Sequence, residues 1–184
     1  MNNPKAFLVD VSLCIGCRAC EMACRNENLT PSHIHWRHVI EIEEGVFLSM
    51  ACNHCENPEC FRVCPERAFN KRHDGIVEIN SSLCNGCRRC VTACPYHAPQ
   101  YNASTNKVTR CNMCATRQDR GEIPACVEAC PTGALSLILL NDSCNSDVVD
   151  TIQGFTDIRL TRPSIRFHQI KTPKRWMISD DEKQ

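Results

Sequence analysis

Short runs of alternating apolar and polar residues, none more than a few positions long, separate blocks rich in cysteine. Phe7-Leu8-Val9-Asp10 and Gly75-Ile76-Val77-Glu78-Ile79 read as β-strands, each leading into a block. Asp74-Gly75 reads as the hairpin turn that joins the second of these to a strand around Ala68-Phe69-Asn70-Lys71. Ala134-Leu135-Ser136-Leu137-Ile138 reads as a closing strand after the last block. Each cysteine loop feeds one or two helical turns, too short to hold in water unaided. The repeated unit is strand, loop, helix, strand.

Two regions break that repeat. Residues 25–50 hold His33, His35, Trp36 and His38, which read as a polar loop with local hydrogen bonds rather than as a metal site or proton relay. Beyond Leu140, Thr161-Arg162-Pro163-Ser164-Ile165-Arg166-Phe167 reads as extended and Ser179–Gln184 as a frayed polar end, a candidate for docking on a partner. The longest apolar stretch, Gly133 to Leu140, is much too short to span a bilayer. The N-terminus shows neither a secretory pattern nor an arginine pair, so the chain by itself is expected to be soluble and to stay where it is made.

Composition says that aliphatic side chains do not fill the interior alone. The hydrophobic class is 42% of 184 residues, but it counts 17 cysteines, and only 5% of the chain is aromatic. The remainder is a thin core for this length, so covalent or metal crosslinks are expected to substitute. Lys+Arg and Asp+Glu are both 21. A net charge of zero excludes the basic footprint of a nucleic-acid binder.

Sixteen of the 17 cysteines fall into four groups. Cys14, Cys17, Cys20 and Cys24 are spaced C-x2-C-x2-C-x3-C, and Cys84, Cys87, Cys90 and Cys94 repeat that spacing. Cys52, Cys55, Cys60 and Cys64 follow C-x2-C-x4-C-x3-C, while eleven residues separate the middle pair of Cys111, Cys114, Cys126 and Cys130. Groups two, three and four end in Cys-Pro; group one ends in Cys24-Arg25. The first and third groups match the bacterial ferredoxin run that holds [4Fe–4S] clusters. Its tight triplet wraps three corners of a cube, and three further residues begin a helix that carries the last thiolate out of reach. The fourth corner then comes from another group, so cubes occur in pairs.

A disulfide framework is disfavoured, because cysteines two residues apart make poor crosslinks. Zinc sites would use paired C-x2-C rather than triplets with a displaced fourth. A [3Fe–4S] site would need a missing ligand, and none is missing. Four [4Fe–4S] clusters match sixteen ligands, and the fold is expected to depend on them. Cys144 is left over and reads as an ordinary small side chain. Loaded, the protein would carry about −8 in charge. Arg18, Arg25, Arg88, Arg89 and Arg110, beside the ligands, read first as solvated surface, with tuning of cluster potentials as the alternative.

Four groups in this order, with x4 in group two and the long gap in group four, resemble the four-cluster electron-transfer subunits of the DMSO reductase (molybdopterin oxidoreductase) family. Ala51-Cys52-Asn53-His54-Cys55-Glu56-Asn57-Pro58-Glu59-Cys60, Cys94-Pro95-Tyr96-His97-Ala98-Pro99-Gln100-Tyr101-Asn102 and Thr161-Arg162-Pro163-Ser164 carry the likeness, which covers about residues 5 to 140 most fully. The resemblance implies an α+β fold of two interleaved bacterial 2×[4Fe–4S] ferredoxin-like modules with short strands and helices. Module A would take residues 1–50 and 103–140, module B 51–102, and a C-terminal tail 141–184. It implies Cys14, Cys17, Cys20 and Cys130 as a first ligand set and Cys24, Cys111, Cys114 and Cys126 as a second. Cys64, Cys84, Cys87 and Cys90 would form a third, and Cys52, Cys55, Cys60 and Cys94 a fourth.

The function it implies is a non-catalytic relay, with no small-molecule substrate of its own. Electrons would pass from a hydrophobic, quinol-oxidising membrane-anchor subunit through the fourth, third, second and first clusters to a molybdopterin catalytic subunit. The chain would be membrane-associated through those partners, on the periplasmic side if exported with a twin-arginine partner and otherwise cytoplasmic. The competing readings are a soluble polyferredoxin subunit of a cytoplasmic formate dehydrogenase or hydrogenase complex, and a zinc-bound structural adaptor.

Overall fold

The computed structural model describes residues 4–142 and 147–168. Strand β1 (Lys5–Val9) and helix α1 (Ala19–Asn28) are followed by strands β2 (His38–Glu43) and β3 (Val46–Met50). Helix α2 (Glu59–Arg62) leads to β4 (Phe69–Lys71) and β5 (Val77–Ile79), and α3 (Arg89–Ala93) to β6 (Gln100–Asn102) and β7 (Lys107–Thr109). Helices α4 (Ala115–Asp119) and α5 (Ala125–Glu128) then precede β8 (Leu135–Leu139), β9 (Val148–Val149) and β10 (Ile165–His168). The architecture is α+β, as expected.

The strands expected on either side of the cysteine blocks form. Strand β4 pairs with β5 in an antiparallel hairpin, and Gly75 takes φ +85° in its turn. Strand β8 pairs antiparallel with β1. The segment around residues 25–50, however, is more than a polar loop, because β2 and β3 form a hairpin within it. His33 and His35 remain exposed there, and the Gln100 side chain bonds the His35 backbone at both its N–H and its C=O.

Helix length follows the residue after each last cysteine. Pro65, Pro95 and Pro131 stand where α2, α3 and α5 would continue, and each of those helices has four or five residues. A proline lacks the N–H for the next helical bond and biases the residue before it away from helix. Arg25 imposes no such stop, so α1 runs for ten residues, longer than the one or two turns expected.

The C-terminal stretch also departs from expectation. Strand β10 lies parallel to β1 in the middle of a sheet ordered β8-β1-β10-β9. Ile165 and Phe167 are fully buried in the same core as Phe7 and Val9. This part of the anticipated tail is a structural strand. Thr161-Arg162-Pro163-Ser164 clamps the loop of the second cysteine group: the N–H groups of Glu56 and Asn57 donate to the carbonyls of Arg162 and Thr161 at 2.8 and 3.0 Å, and the Ser164 N–H to that of Asn53 at 2.7 Å. Cys144 and residues 179–184 lie outside the described residues.

The interior divides into three packed clusters, and cysteine is a substantial part of each. Helix α1 packs on α5, and α2 on α3, so the first group meets the fourth and the second meets the third. Among the described residues no helix is long and apolar enough to cross a membrane.

Candidate metal centres

The local backbone explains how each cysteine loop presents its sulfurs. Gly16 and Gly86 occupy equivalent left-handed positions, and Arg18 and Arg88, two residues on, do the same immediately before α1 and α3. The Gly86 requirement is steric as well, since a Cβ there would stand 2.4 Å from the Asn106 carbonyl oxygen. Such turns aim backbone N–H groups inward. His54 N–H reaches Cys52 Sγ at 3.4 Å, Met113 N–H reaches Cys111 Sγ at 3.3 Å, and Ala68 N–H reaches Cys64 Sγ at 3.4 Å. Amide donors around sulfur suit thiolate rather than thiol.

The sixteen described cysteines are all unbridged. Their sulfurs gather across groups rather than within them. One pocket, partly open to solvent, is lined by Cys52, Cys55, Cys60 and Cys94. A second is lined by Cys14, Cys17, Cys20 and Cys130. In both, the last cysteine comes from a different group. A shallower depression holds Cys64 and Cys87 among Arg62, Arg88 and Arg89.

Electrostatic neighbours trace the same grouping. Burial pushes Cys24 up to about 12, and the charges of Cys126 and Cys114 add to it. Burial likewise carries Cys90 to about 11, with Cys64, Cys84 and Cys87 its sulfur neighbours. Cys55 and Cys60 are each raised to about 12, first by burial. Cys111, wholly buried, is raised well above the thiol range by burial and then by Cys24. Without positive charge from a bound metal, these side chains are thiols at neutral pH; binding a metal there expels their protons.

The neighbours also give a spatial order. Cys20 and Cys24 pack in one cluster, Cys52, Cys55 and Cys94 share a second with Cys111, and Cys60 shares a third with Cys64, Cys84 and Cys90. The row therefore runs from Cys14 and its companions, through Cys24 and Cys111, to Cys52 and Cys60, and ends at Cys64 and Cys90. This differs from the numerical order of the expected sets: the set containing Cys52 stands inside the row and the set containing Cys84 at its end. Group two packs Cys52 and Cys55 beside Cys111, and that interior position is a product of packing rather than of spacing. Only Cys17 and Cys87 among the sixteen are exposed, one at each end of the row.

Among the described residues, no three of His, Cys, Asp and Glu are close enough to hold one metal ion. A zinc ion would draw its thiolates in to about 2.3 Å. The sulfurs here are spread around shared pockets rather than drawn in on one point, with donors of the type an iron–sulfur cube takes.

The arginines divide. Arg18, Arg88 and Arg89 are exposed and Arg25 half-buried, in keeping with a surface role. Arg110 is not on the surface: it is 2% exposed, because β7 and the Cys111 loop carry it inward beneath Cys52. Its Nη2 donates to Cys52 Sγ and lies 3.3 Å from His54 Nδ1. His54 is completely buried, and Val77 N–H donates to the same Nδ1 at 3.0 Å. Burial, and then Arg110, holds His54 well below the histidine range, so it is neutral. Arg37 is a second buried guanidinium, 2% exposed. No motif marks Arg37 in the sequence; Arg110 was signalled only by its place beside Cys111.

Residues 43–139 match the family model of a 4Fe-4S dicluster domain, and residues 13–68 match a second 4Fe-4S dicluster model. The protein is 41% identical to the B subunit of the anaerobic dimethyl sulfoxide reductase of Escherichia coli (strain K12), with 73% of each sequence covered. It is 37% identical to the B subunit of the polysulfide reductase of Wolinella succinogenes, over 85% of this sequence and 83% of that one. It is 38% identical to the thiosulfate reductase electron transfer subunit PhsB of Salmonella typhi, over 78% of this sequence and 80% of that one.

Proposed function

This chain belongs to the iron–sulfur subunits of the DMSO reductase family, a non-catalytic electron-transfer subunit with [4Fe–4S] cofactors, and from that premise we propose that it is a four-cluster wire between two partner subunits. Cys14, Cys17, Cys20 and Cys130 hold one cluster; Cys24, Cys111, Cys114 and Cys126 hold the next. Cys52, Cys55, Cys60 and Cys94 hold the third along the row, and Cys64, Cys84, Cys87 and Cys90 the last. The observation that carries this reading is the pair of cavities whose four sulfurs each come from two different groups. The packing of α1 on α5 and of α2 on α3 supports two interleaved modules, residues 1–50 with 103–140 and residues 51–102.

Clusters of this kind supply one-electron transfer with little atomic movement. The protein's part is to space them, bury the inner two and bring the outer two to the surface. Exposed Cys17 and Cys87 mark the two ports. The row of neighbouring sulfurs supports electron flow through the Cys52 set before the Cys84 set is reached, or the reverse, rather than in numerical order. The partners are a hydrophobic quinol-oxidising anchor at the Cys87 port and a molybdopterin catalytic subunit at the Cys17 port, with the assembly held at the membrane through them.

The test is native purification of the complex with iron and sulfide analysis, followed by EPR of a Cys94→Ser variant. About sixteen irons per chain, a pterin-containing large subunit and a membrane subunit are expected. The variant should lose or convert the cluster of Cys52, Cys55 and Cys60. Purification with a hydrogenase or formate enzyme alone would favour the polyferredoxin reading. Loss of the cluster held by Cys84, Cys87 and Cys90 would overturn the ligand sets.

A further inference from the structure

Two guanidinium groups sit inside the row of sulfurs, and their surroundings are parallel. The charges that act most strongly on Arg37 are Cys126, Cys111, Cys20 and Cys24, three from one set and one from the set before it. Those acting on Arg110 are Cys52, Cys60, Cys111 and Cys94, again three from one set and one from the set before it. Each arginine therefore belongs to one inner cluster and touches the junction with its neighbour.

Neither has the partner that a buried arginine ordinarily requires. Among the described residues the strongest charges on each are sulfurs, not carboxylates. Arg37 uses Nη1 on Ser49 Oγ at 2.9 Å, and Ser49 Oγ lies 3.3 Å from Cys20 Sγ. Among the described residues its Nε and Nη2 have no nitrogen or oxygen partner and Cys126 is the side chain beside them, although the group is enclosed and its carbon stands 4.4 Å over the Phe7 ring. Arg110 donates to Cys52 Sγ through Nη2, approaches Cys60 Sγ at 3.9 Å through Nη1, and bonds the Cys111 carbonyl at 3.3 Å through Nε. A buried cation with open donors is costly unless an anion stands beside it. Four thiolates on an iron–sulfur cube are such an anion, and the cube gains one further negative charge on reduction.

We propose that Arg37 and Arg110 are the built-in counter-cations of the two inner clusters, each raising the reduction potential of the cluster whose three sulfurs it faces. A fixed positive charge in a dry interior stabilises the reduced, more negative state over the oxidised one. The two outer clusters, with exposed Cys17 and Cys87, are screened by solvent and feel these charges less. The inner half of the wire is thereby kept reducible, so that an electron entering at either port is drawn inward instead of stalling there.

This inference rests on the ligand sets proposed above, and the experiment separates the two. The intact complex is prepared with Arg37→Met, Arg37→Lys, Arg110→Met and Arg110→Lys, and each is followed by redox titration with EPR detection after iron and sulfide analysis. Arg110→Met should shift the cluster of Cys52, Cys55, Cys60 and Cys94 to lower potential and leave that of Cys64, Cys84, Cys87 and Cys90 in place. Arg37→Met should shift the cluster of Cys24, Cys111, Cys114 and Cys126 downward. The lysine variants, which keep the charge, should stay near the unmodified potentials. Unmoved potentials in the methionine variants, an equal shift in all four clusters, or lysine variants that fall as far as methionine would overturn the proposal. If a methionine variant fails to retain its iron, the neutral glutamine variant takes its place and is read by the same criterion. Fewer than four clusters in the unmodified complex would instead sink the ligand sets.

Discussion

Phe167→Ala tests whether the chain beyond the cysteine repeat is part of the scaffold that holds the clusters. Phe167 is fully buried, pairs along the backbone with Val9 and Val149, and meets Phe155 edge-on at 5.0 Å and 67°. Phe155 in turn stacks on Tyr96 at 5.6 Å, close to Cys94. Truncating a buried phenylalanine in a packed core costs about 3–5 kcal/mol, with about 0.5–1.5 of that from the aromatic pair. At about 1.4 kcal/mol per tenfold change, the opened population rises by about two to three and a half decades. The assay is the rate at which an iron chelator bleaches the purified complex, under conditions where reclosing outpaces capture, so that the rate tracks the opened population. Leu160→Ala is the control, since Leu160 is 66% exposed and its loss should change stability by no more than about 0.5 kcal/mol. Equal bleaching rates for the two variants would refute the assignment of β10 to the core and return this stretch to the role of a docking tail.

Removing the iron from the isolated chain should abolish the ordered state, because cysteines occupy all three packed clusters; a circular dichroism spectrum unchanged by chelation would contradict this. Gly86→Ala should weaken the loop before α3 and make its cluster the first to be lost on oxidation, since both φ +74° and the 2.4 Å approach to the Asn106 carbonyl oppose a side chain; normal iron retention would show that the loop can give. Tyr96→Phe removes the 2.7 Å hydrogen bond to Thr161 Oγ1 and should cost about 0.5–1.5 kcal/mol in denaturant unfolding of the complex, since the Thr161 hydroxyl keeps Cys55 as a partner.

Much of the local structure is legible in the residues alone. The strands at Lys5–Val9, Phe69–Lys71, Val77–Ile79 and Leu135–Leu139 follow from short apolar alternations, and Asp74-Gly75 marks its turn. The β2–β3 hairpin is not legible, because His38 and the glutamates mask a pattern that only packing on α1 reveals. Nor is the placement of β10. A parallel strand joins a sheet from a distant part of the chain, so nothing near Ile165 announces Phe7 as its neighbour. Arg110 reads as surface from its charge alone, and its burial depends on sulfurs contributed by other segments.

By itself the sequence determined the chemistry of the ligands and the stops of the helices ahead of Pro65, Pro95 and Pro131, because cysteine spacing and a following proline act within a few residues. Tertiary structure decided which sulfurs stand together, which sets are interior, and where two uncompensated guanidinium groups lie. Those facts depend on contacts such as that between Arg110 and Cys52, 58 residues apart. Spacing constrains a backbone locally, whereas burial and the electric field at a buried site are sums over whatever the fold brings near.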